Sequence, residues 1–254
     1  MEFTVIIPAR YHSSRFPGKP LVPLDGVPMI RRVHDAAAAS GAARVAVATD
    51  DRRIAETCRD FGAEVIMTRS EHASGTHRLA EAAHRMGLAD DTVVVNLQGD
   101  EPLLPPLLLA EAAETLADPD VAEMGTLATP LAEAAQAFDP NVVKVVCDRL
   151  GNALYFSRAA IPWDRDGYAQ GASAAATGAL RHIGVYAYRA DFLRRYPSLE
   201  EAPMERTESL EQLRALWHGF RIRVRQAAVL PGPGVDVPED VARVEAALRA
   251  GPAS

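Results

Sequence analysis

Residues 3–9 read Phe-Thr-Val-Ile-Ile-Pro-Ala, and Arg10-Tyr-His-Ser-Ser-Arg15-Phe-Pro-Gly-Lys19-Pro20 follows without a break. A short β-branched run that stops at a polar, turn-rich segment predicts a strand over 3–9. Working outward, such runs alternate with longer mixed segments, the pattern of βαβ units in a largely parallel sheet. A helix is predicted over 28–40, with Pro28 near its first turn and Gly41 just past its end. Strands follow at 44–49 and 63–67, separated by a helix over 51–61 with Asp50 as its N-cap. A helix near 76–87 and a strand over 92–97 complete a half that reads as doubly wound α/β.

After residue 120 the strand-like runs at 122–130, 142–147, 153–158 and 182–188 lie closer together, which predicts some antiparallel pairing. A helix over 207–218, a strand over 221–229, the turn Pro231-Gly-Pro-Gly234 and a helix over 238–249 follow. Alanine-rich patches at 36–39 and 172–176 are compositional bias, and no linker or internal repeat divides the chain. One α/β domain over 1–254 is expected, with a smaller mixed or antiparallel subregion in its second half.

The composition, 48% hydrophobic and 24% charged, is that of a globular protein and excludes disordered, collagen-like and coiled-coil classes. Charges interrupt every apolar run before the ~18 residues that a membrane span needs. The N-terminus has no basic leader followed by an apolar core, so secretion by the standard route is not expected. A net charge of −7 argues against a general nucleic-acid binder. The two cysteines, Cys58 and Cys147, have no CxxC partner and read as reduced, buried thiols.

On so acidic a chain the 10–20 segment is unusual: Arg10, Arg15 and Lys19 stand together with no carboxylate. Ligands of open α/β sheets bind at the carboxyl ends of strands, and this is one. Arginine forks, a lysine point charge and Gly18 for close backbone approach suit a polyphosphate cradle; a solvated basic loop is the plainer reading. Walker A is absent, since Pro20 follows Lys19. The fourth strand runs into Gln98-Gly-Asp100-Glu-Pro102, where Asp100 is either a Mg²⁺ ligand or a turn residue. Asp236, after the PGPG turn, reads by itself as a cap of the last helix.

Polar clusters at 69–76, around Arg158, and at 181–186 fit surface or core roles equally well from composition. In 205–217, Leu210, Leu213, Leu216 and Trp217 share one face, so this is first a packed helix, with Glu211 and Gln212 as its polar candidates. The seven histidines show no HExxH spacing; His72, His77 and His84 are placed on a wet helix and its entry loop, and no zinc site is expected.

With these residues in hand, the sequence resembles the 3-deoxy-manno-octulosonate cytidylyltransferases, or CMP-Kdo synthetases, over nearly its whole length. The resemblance rests on IIPARYHSSRFPGKPL at 6–21, VATD at 47–50, SGTHRLAEA at 74–82, NLQGDEPL at 96–103, NVVKVV at 141–146, ALYFSRAAIPWDRD at 153–166, RHIGVYAYR at 181–189, ESLEQLRAL at 208–216 and GVDVPED at 234–240. The first motif is shared by many nucleotidyltransferases, whereas the later ones are closer to the Kdo enzymes than to sialic-acid activators. His77 departs from the pattern, standing where an acidic residue is expected.

The resemblance implies a nucleotide-diphospho-sugar transferase-like fold: roughly 1–120 for CTP, 121–230 for sugar and dimerisation, and 231–254 for a metal loop and last helix. It implies transfer of a cytidylyl group from CTP to Kdo, giving CMP-Kdo and pyrophosphate for lipopolysaccharide biosynthesis, in a cytoplasmic homodimer. Arg10, Arg15 and Lys19 would cradle the triphosphate, and Asp100 and Asp236 would hold Mg²⁺. Pro8, Ala9, Arg69, Ser74, Gly75 and Gln98 would also contact nucleotide, and Gln98, Arg158, His182, Tyr186, Glu211 and Gln212 the sugar. Sialic acid or an 8-amino Kdo analogue remains an alternative acceptor. A glycosyltransferase using Asp164-Arg-Asp166 or Asp118-Pro-Asp120 as a DxD, and a non-catalytic nucleotide-binding regulator, are more distant readings.

Overall fold

The computed structural model describes residues 1–12, 15–72, 74–169 and 178–251; the alanine-rich patch at 172–176 lies outside them. Strand β1 (Thr4–Ala9) is buried along its whole length. That is why its sequence is apolar without alternation: a strand covered on both faces has no wet side. Val5, Ile7 and Ala9 join one core and Ile6 the other.

A 3₁₀ turn at Lys19–Leu21 leads into a small hairpin of β2 (Pro23–Leu24) and β3 (Val27–Pro28). Then come α1 (Met29–Ala38), β4 (Arg44–Thr49), α2 (Arg52–Asp60), β5 (Glu64–Met67), α3 (Gly75–Arg85), β6 (Val93–Asn96) and α4 (Pro106–Glu114). The second half contains β7 (Met124–Pro130), α5 (Ala134–Phe138), β8 (Lys144–Cys147), β9 (Ala153–Ser157), α6 (Arg165–Ala169) and β10 (Leu180–Arg189). It ends with α7 (Ala190–Arg195), α8 (Pro203–Glu208), α9 (Gln212–Trp217), β11 (Ile222–Gln226) and α10 (Asp240–Ala250).

The main sheet runs β11-β7-β10-β6-β1-β4-β5, with β8 and β9 branching from β10. β6, β1, β4 and β5 are mutually parallel, while β10 is antiparallel to β6, β7 and β8. The expected parallel half and antiparallel subregion are both present. Residues of α1, α2, α4 and α10 bury one face of the sheet, and residues of α3, α7 and α9 bury the other. Because β4 and β6 flank β1 on opposite sides, the strand order reverses at β1/β6, and a crevice opens at their carboxyl ends.

Several local expectations are corrected. The N-cap of α2 is Asp51, whose carboxylate accepts from the Arg53 amide; Asp50 instead pairs with buried Arg78. The helix expected over 207–218 is two helices, broken where Ser209 takes a left-handed conformation, φ 52°. The break rotates Trp217 away from the core, and it is 54% exposed while Leu213 is fully buried. Helices α4 and α7 were not anticipated, since their buried stretches are too uniformly apolar or too short to show a helical period. Cys58 is buried and Cys147 half-buried; burial raises their thiols to about 12 and about 11, so both stay protonated. Among the described residues no helix is long and apolar enough to cross a membrane.

Candidate active site

The loop leaving β1 folds back over the sheet edge. Gly18 takes φ 73°, a conformation few side chains tolerate, and its N–H donates to the Tyr11 carbonyl at 2.8 Å. The turn delivers Lys19 to the end of β6, where its ammonium lies 2.7 Å from Asp100 Oδ2 and donates to the Val235 carbonyl at 2.9 Å. Asp236 Oδ1 lies 3.8 Å from the same nitrogen and 3.1 Å from Arg15 Nη2. Residues separated by up to 221 positions thus form one cluster of two cations and two carboxylates.

The PGPG segment makes this possible. A Cβ on Gly232 would sit 2.7 Å from the Leu103 Cβ, so only glycine lets this loop lie against the turn after β6. The Val235 amide donates to the Asp100 carbonyl at 2.9 Å, tying the two carboxylate-bearing loops together. Asp236 therefore faces the site rather than capping α10. Asp240, the first residue of α10, accepts from the amides of Asp236 and Val237 and so fastens the loop ahead of the helix to its first turn.

Three cavities adjoin this cluster, and Gln98 lines all of them. The smallest, about 80 Å³, is formed by Pro8, Ala9, Arg10, Ser74, Gly75 and Gln98, as expected, and also by His72 and Arg78. Arg78 is 3% exposed and pairs with Asp50 at 3.2 Å; burial lowers its pKa. His72 corrects the expectation of a wet histidine: its side chain is nearly buried and hydrogen-bonds Glu81. Glu81 also accepts from the Arg69 amide and from Arg85. Burial opposes ionisation of Glu81, but these hydrogen bonds outweigh it and hold the carboxyl at about 2. Arg69, expected at the nucleotide, does not line this pocket: its side chain is 70% exposed and its amide is held by Glu81. His77 is likewise half-buried, edge-on to Tyr196, and burial lowers its pKa.

The second cavity, about 300 Å³, is lined by Arg10, Gly75, Tyr186, Glu211 and Gln212, with Thr76, Asn96, Tyr188 and Tyr196 as unforeseen members. Thr76 donates to Glu211 at 2.9 Å. The third, about 410 Å³, holds His182 together with Glu101, Arg181 and Arg243. Burial first, then the charges of Asp100 and Asp236, raise the Glu101 carboxyl to about 7. Burial lowers His182 to about 3, so it is neutral at ordinary pH. The Thr126 hydroxyl lies 3.0 Å from His182 Nε2 and donates to the Val185 carbonyl at 2.7 Å across the register shift in β10.

Arg158 is placed differently from the expectation. Its guanidinium donates to the carbonyls of Pro140, Glu208 and Ser209, and it lines none of the three cavities. It fastens the end of β9 to the break between α8 and α9. The two DxD stretches serve local structure: Asp164 Oδ1 accepts from the Gly167 amide and Asp118 Oδ1 from the Asp120 amide.

Residues 4–222 match the family model described as cytidylyltransferase. A curated 3-deoxy-manno-octulosonate cytidylyltransferase from Halorhodospira halophila is 59% identical over 251 residues, 97% of each chain. The chain belongs to the 3-deoxy-manno-octulosonate cytidylyltransferase family. A further member, from Alkalilimnicola ehrlichii, is 60% identical and is matched over 97% of this chain and 96% of its own. Among solved structures, a CMP:2-keto-3-deoxy-manno-octonic acid synthetase complexed with CTP superposes with a TM-score of 0.87 at 43% identity, covering 98% of this chain and 99% of that one. A cytidylyltransferase from Leptospira borgpetersenii, TM-score 0.63 at 15% identity, shares the fold.

Proposed function

We propose that this cytidylyltransferase joins CTP to the anomeric hydroxyl of Kdo, forming CMP-Kdo and pyrophosphate for lipopolysaccharide synthesis. The observation that carries this reading is the convergence of Arg15 and Lys19, from the loop after β1, on Asp100 after β6 and Asp236 in the loop before α10. The hydroxyl oxygen attacks the α-phosphorus, the bond from that phosphorus to the bridging oxygen breaks, the proton leaves the attacking oxygen, and pyrophosphate departs. Arg10, Arg15 and Lys19 bind the triphosphate and stabilise charge developing on the leaving group, work that preorganised cations do without covalent chemistry.

Asp100 and Asp236 already approach one cation, the Lys19 ammonium, at 2.7 and 3.8 Å. Two carboxylates beside a phosphate cradle, Asp236 exposed and Asp100 half-buried, match the donor set that Mg²⁺ takes, one or two carboxylates completed by phosphate oxygens and water. When bound there, Mg²⁺ supplies charge neutralisation and lowers the pKa of a coordinated hydroxyl. The small pocket that Pro8, Ala9, Ser74 and Gly75 share with Arg10, His72, Arg78 and Gln98 takes the cytosine base. Gln98, Tyr186, Glu211 and Gln212 hold the sugar in the 300 Å³ cavity, His182 stands apart from them in the adjoining cavity that Gln98 also lines, and Arg158 supports the site from behind by fixing Ser209.

We assign the chain to one catalytic unit acting in the cytoplasm as a homodimer. Phe138, Trp163 and Tyr168 form an aromatic cluster whose Phe138 and Trp163 are 53% and 64% exposed. Such a surface fits a second copy better than water.

Pyrophosphate release measured over the four ribonucleoside triphosphates and a panel of keto-sugar acids tests the activity. Turnover only with CTP and Kdo is expected. Preference for sialic acid or an 8-amino sugar would reassign the acceptor, and binding of CTP without turnover would reduce the chain to a regulator.

A further inference from the structure

The 300 Å³ cavity contains buried polar atoms without partners. Asn96, the last residue of β6, is 2% exposed, and its Oδ1 has no hydrogen-bond partner. Gln212, at the start of α9, is 7% exposed, and its Nε2 is likewise unpartnered. A buried amide oxygen or nitrogen without a partner loses the hydrogen bonds that water gave it, so two such atoms in one cavity mark places where a bound molecule supplies the missing contacts. The Tyr188 hydroxyl meets the side chains of Thr76 and Asn96, and the Thr76 hydroxyl is given to Glu211. Arg10 is the one cation along the wall, set against the Glu211 carboxylate and three phenols. Phosphate is poorly served there; a neutral ligand portion rich in hydroxyls is well served.

We propose that Asn96 determines acceptor specificity by accepting a hydrogen bond from one hydroxyl of the sugar acid's polyol portion. This rests on the reading of the chain as a Kdo-activating enzyme and adds a residue on the β6 side of the cavity, opposite the helix residues Glu211 and Gln212. Asn96 is two residues before Gln98 and four before Asp100 in one chain segment. A hydroxyl held there fixes the acceptor relative to the chain segment that also carries Asp100. A site that hydrogen-bonds a hydroxyl discriminates strongly against an analogue lacking it, because its buried polar group is then left unpaired.

The test compares wild type with Asn96→Leu, similar in volume but without the amide, on Kdo and on its monodeoxy analogues. Wild-type turnover of Kdo checks the underlying activity by itself; its failure overturns both readings. With that control positive, the variant is expected to keep its CTP KM within about twofold and to raise its Kdo KM at least about tenfold. Wild type is expected to reject one analogue more than the others, and Asn96→Leu to be indifferent to the loss of that same hydroxyl. An unchanged Kdo KM, or equal losses across all analogues in both proteins, overturns the role of Asn96 and leaves the activity standing. Circular dichroism checks folding, and Asn96→Ala takes the place of Asn96→Leu in the same comparison if the latter is not folded.

Discussion

Asp100 touches every part of the proposed chemistry: its carboxylate holds Lys19 and its carbonyl holds the loop that carries Asp236. Asp100→Asn keeps the carbonyl contact and the side-chain shape, so the melting temperature is expected to stay within a few degrees. Turnover is expected to fall by on the order of 10³-fold or more, as loss of a metal-binding charge implies. Pyrophosphate-release kinetics and calorimetry on one preparation check both halves of that statement. Glu81 makes a prediction of a different kind. Its folded pKa, about 2, lies below the unfolded value of ~4.3. The stability it contributes is therefore complete above about pH 5 and is lost as pH falls toward 2. Urea titrations of wild type and Glu81→Gln should differ by a constant amount near neutrality and converge over that acid range. A gap as large at pH 2.5 as near neutrality would contradict the assignment.

At the scale of elements, the break between α8 and α9 is the feature that no periodicity announces. Residues 203–217 have the composition of one helix, yet Ser209 sits at φ 52°, ψ 50°, and the chain turns there. What holds the turn comes from elsewhere in the sequence. Arg158 donates to the carbonyls of Glu208 and Ser209, and the Glu208 carboxylate accepts from Ser157 Oγ and the Arg158 amide. Left-handed backbone is costly for a β-branched residue. Ser209→Val should lower stability by about 1–2 kcal/mol, whereas Ser209→Gly should hold or raise it, as chemical denaturation will show. Because Glu211 and Gln212, just past the break, line the cavity proposed for the sugar, the valine variant is also expected to raise the Kdo KM.

For the whole molecule, ligand and partner should both register. A ligand that binds only the folded state stabilises it by about 2.7 kcal/mol at a hundredfold excess over its Kd, so CTP with Mg²⁺ should raise the melting temperature by several degrees. ATP and GTP at the same concentration should not, if the proposed base site is selective for cytosine. The exposed Phe138, Trp163 and Tyr168 cluster belongs to the same scale. Trp163→Glu would place a charge in a face that is dry in a dimer, and sedimentation should report a monomer where wild type sediments as a dimer. A wild-type monomer would remove the dimer from the proposal.

The parallel half of the fold was legible because its strands are covered on both faces and its helices on one, and burial of that kind writes continuous and periodic apolar patterns into the chain. Arg10, Lys19 and Asp100 were legible because each follows a readable strand end, where an open sheet places its ligands. Asp236 could be read from its surroundings only as a helix cap. Its turn toward Lys19 depends on Gly232 lying against Leu103, a contact between segments more than a hundred residues apart. Asn96 ends an apolar strand like any polar terminus, and nothing next to it in sequence says that its Oδ1 lacks a partner. Local sequence thus determined which strands form and which charges stand at their ends, since those follow from nearest-neighbour patterns. The three-dimensional packing alone decided which distant carboxylate, amide and phenol face one another, because that choice is made by contacts the chain acquires only when it closes on itself.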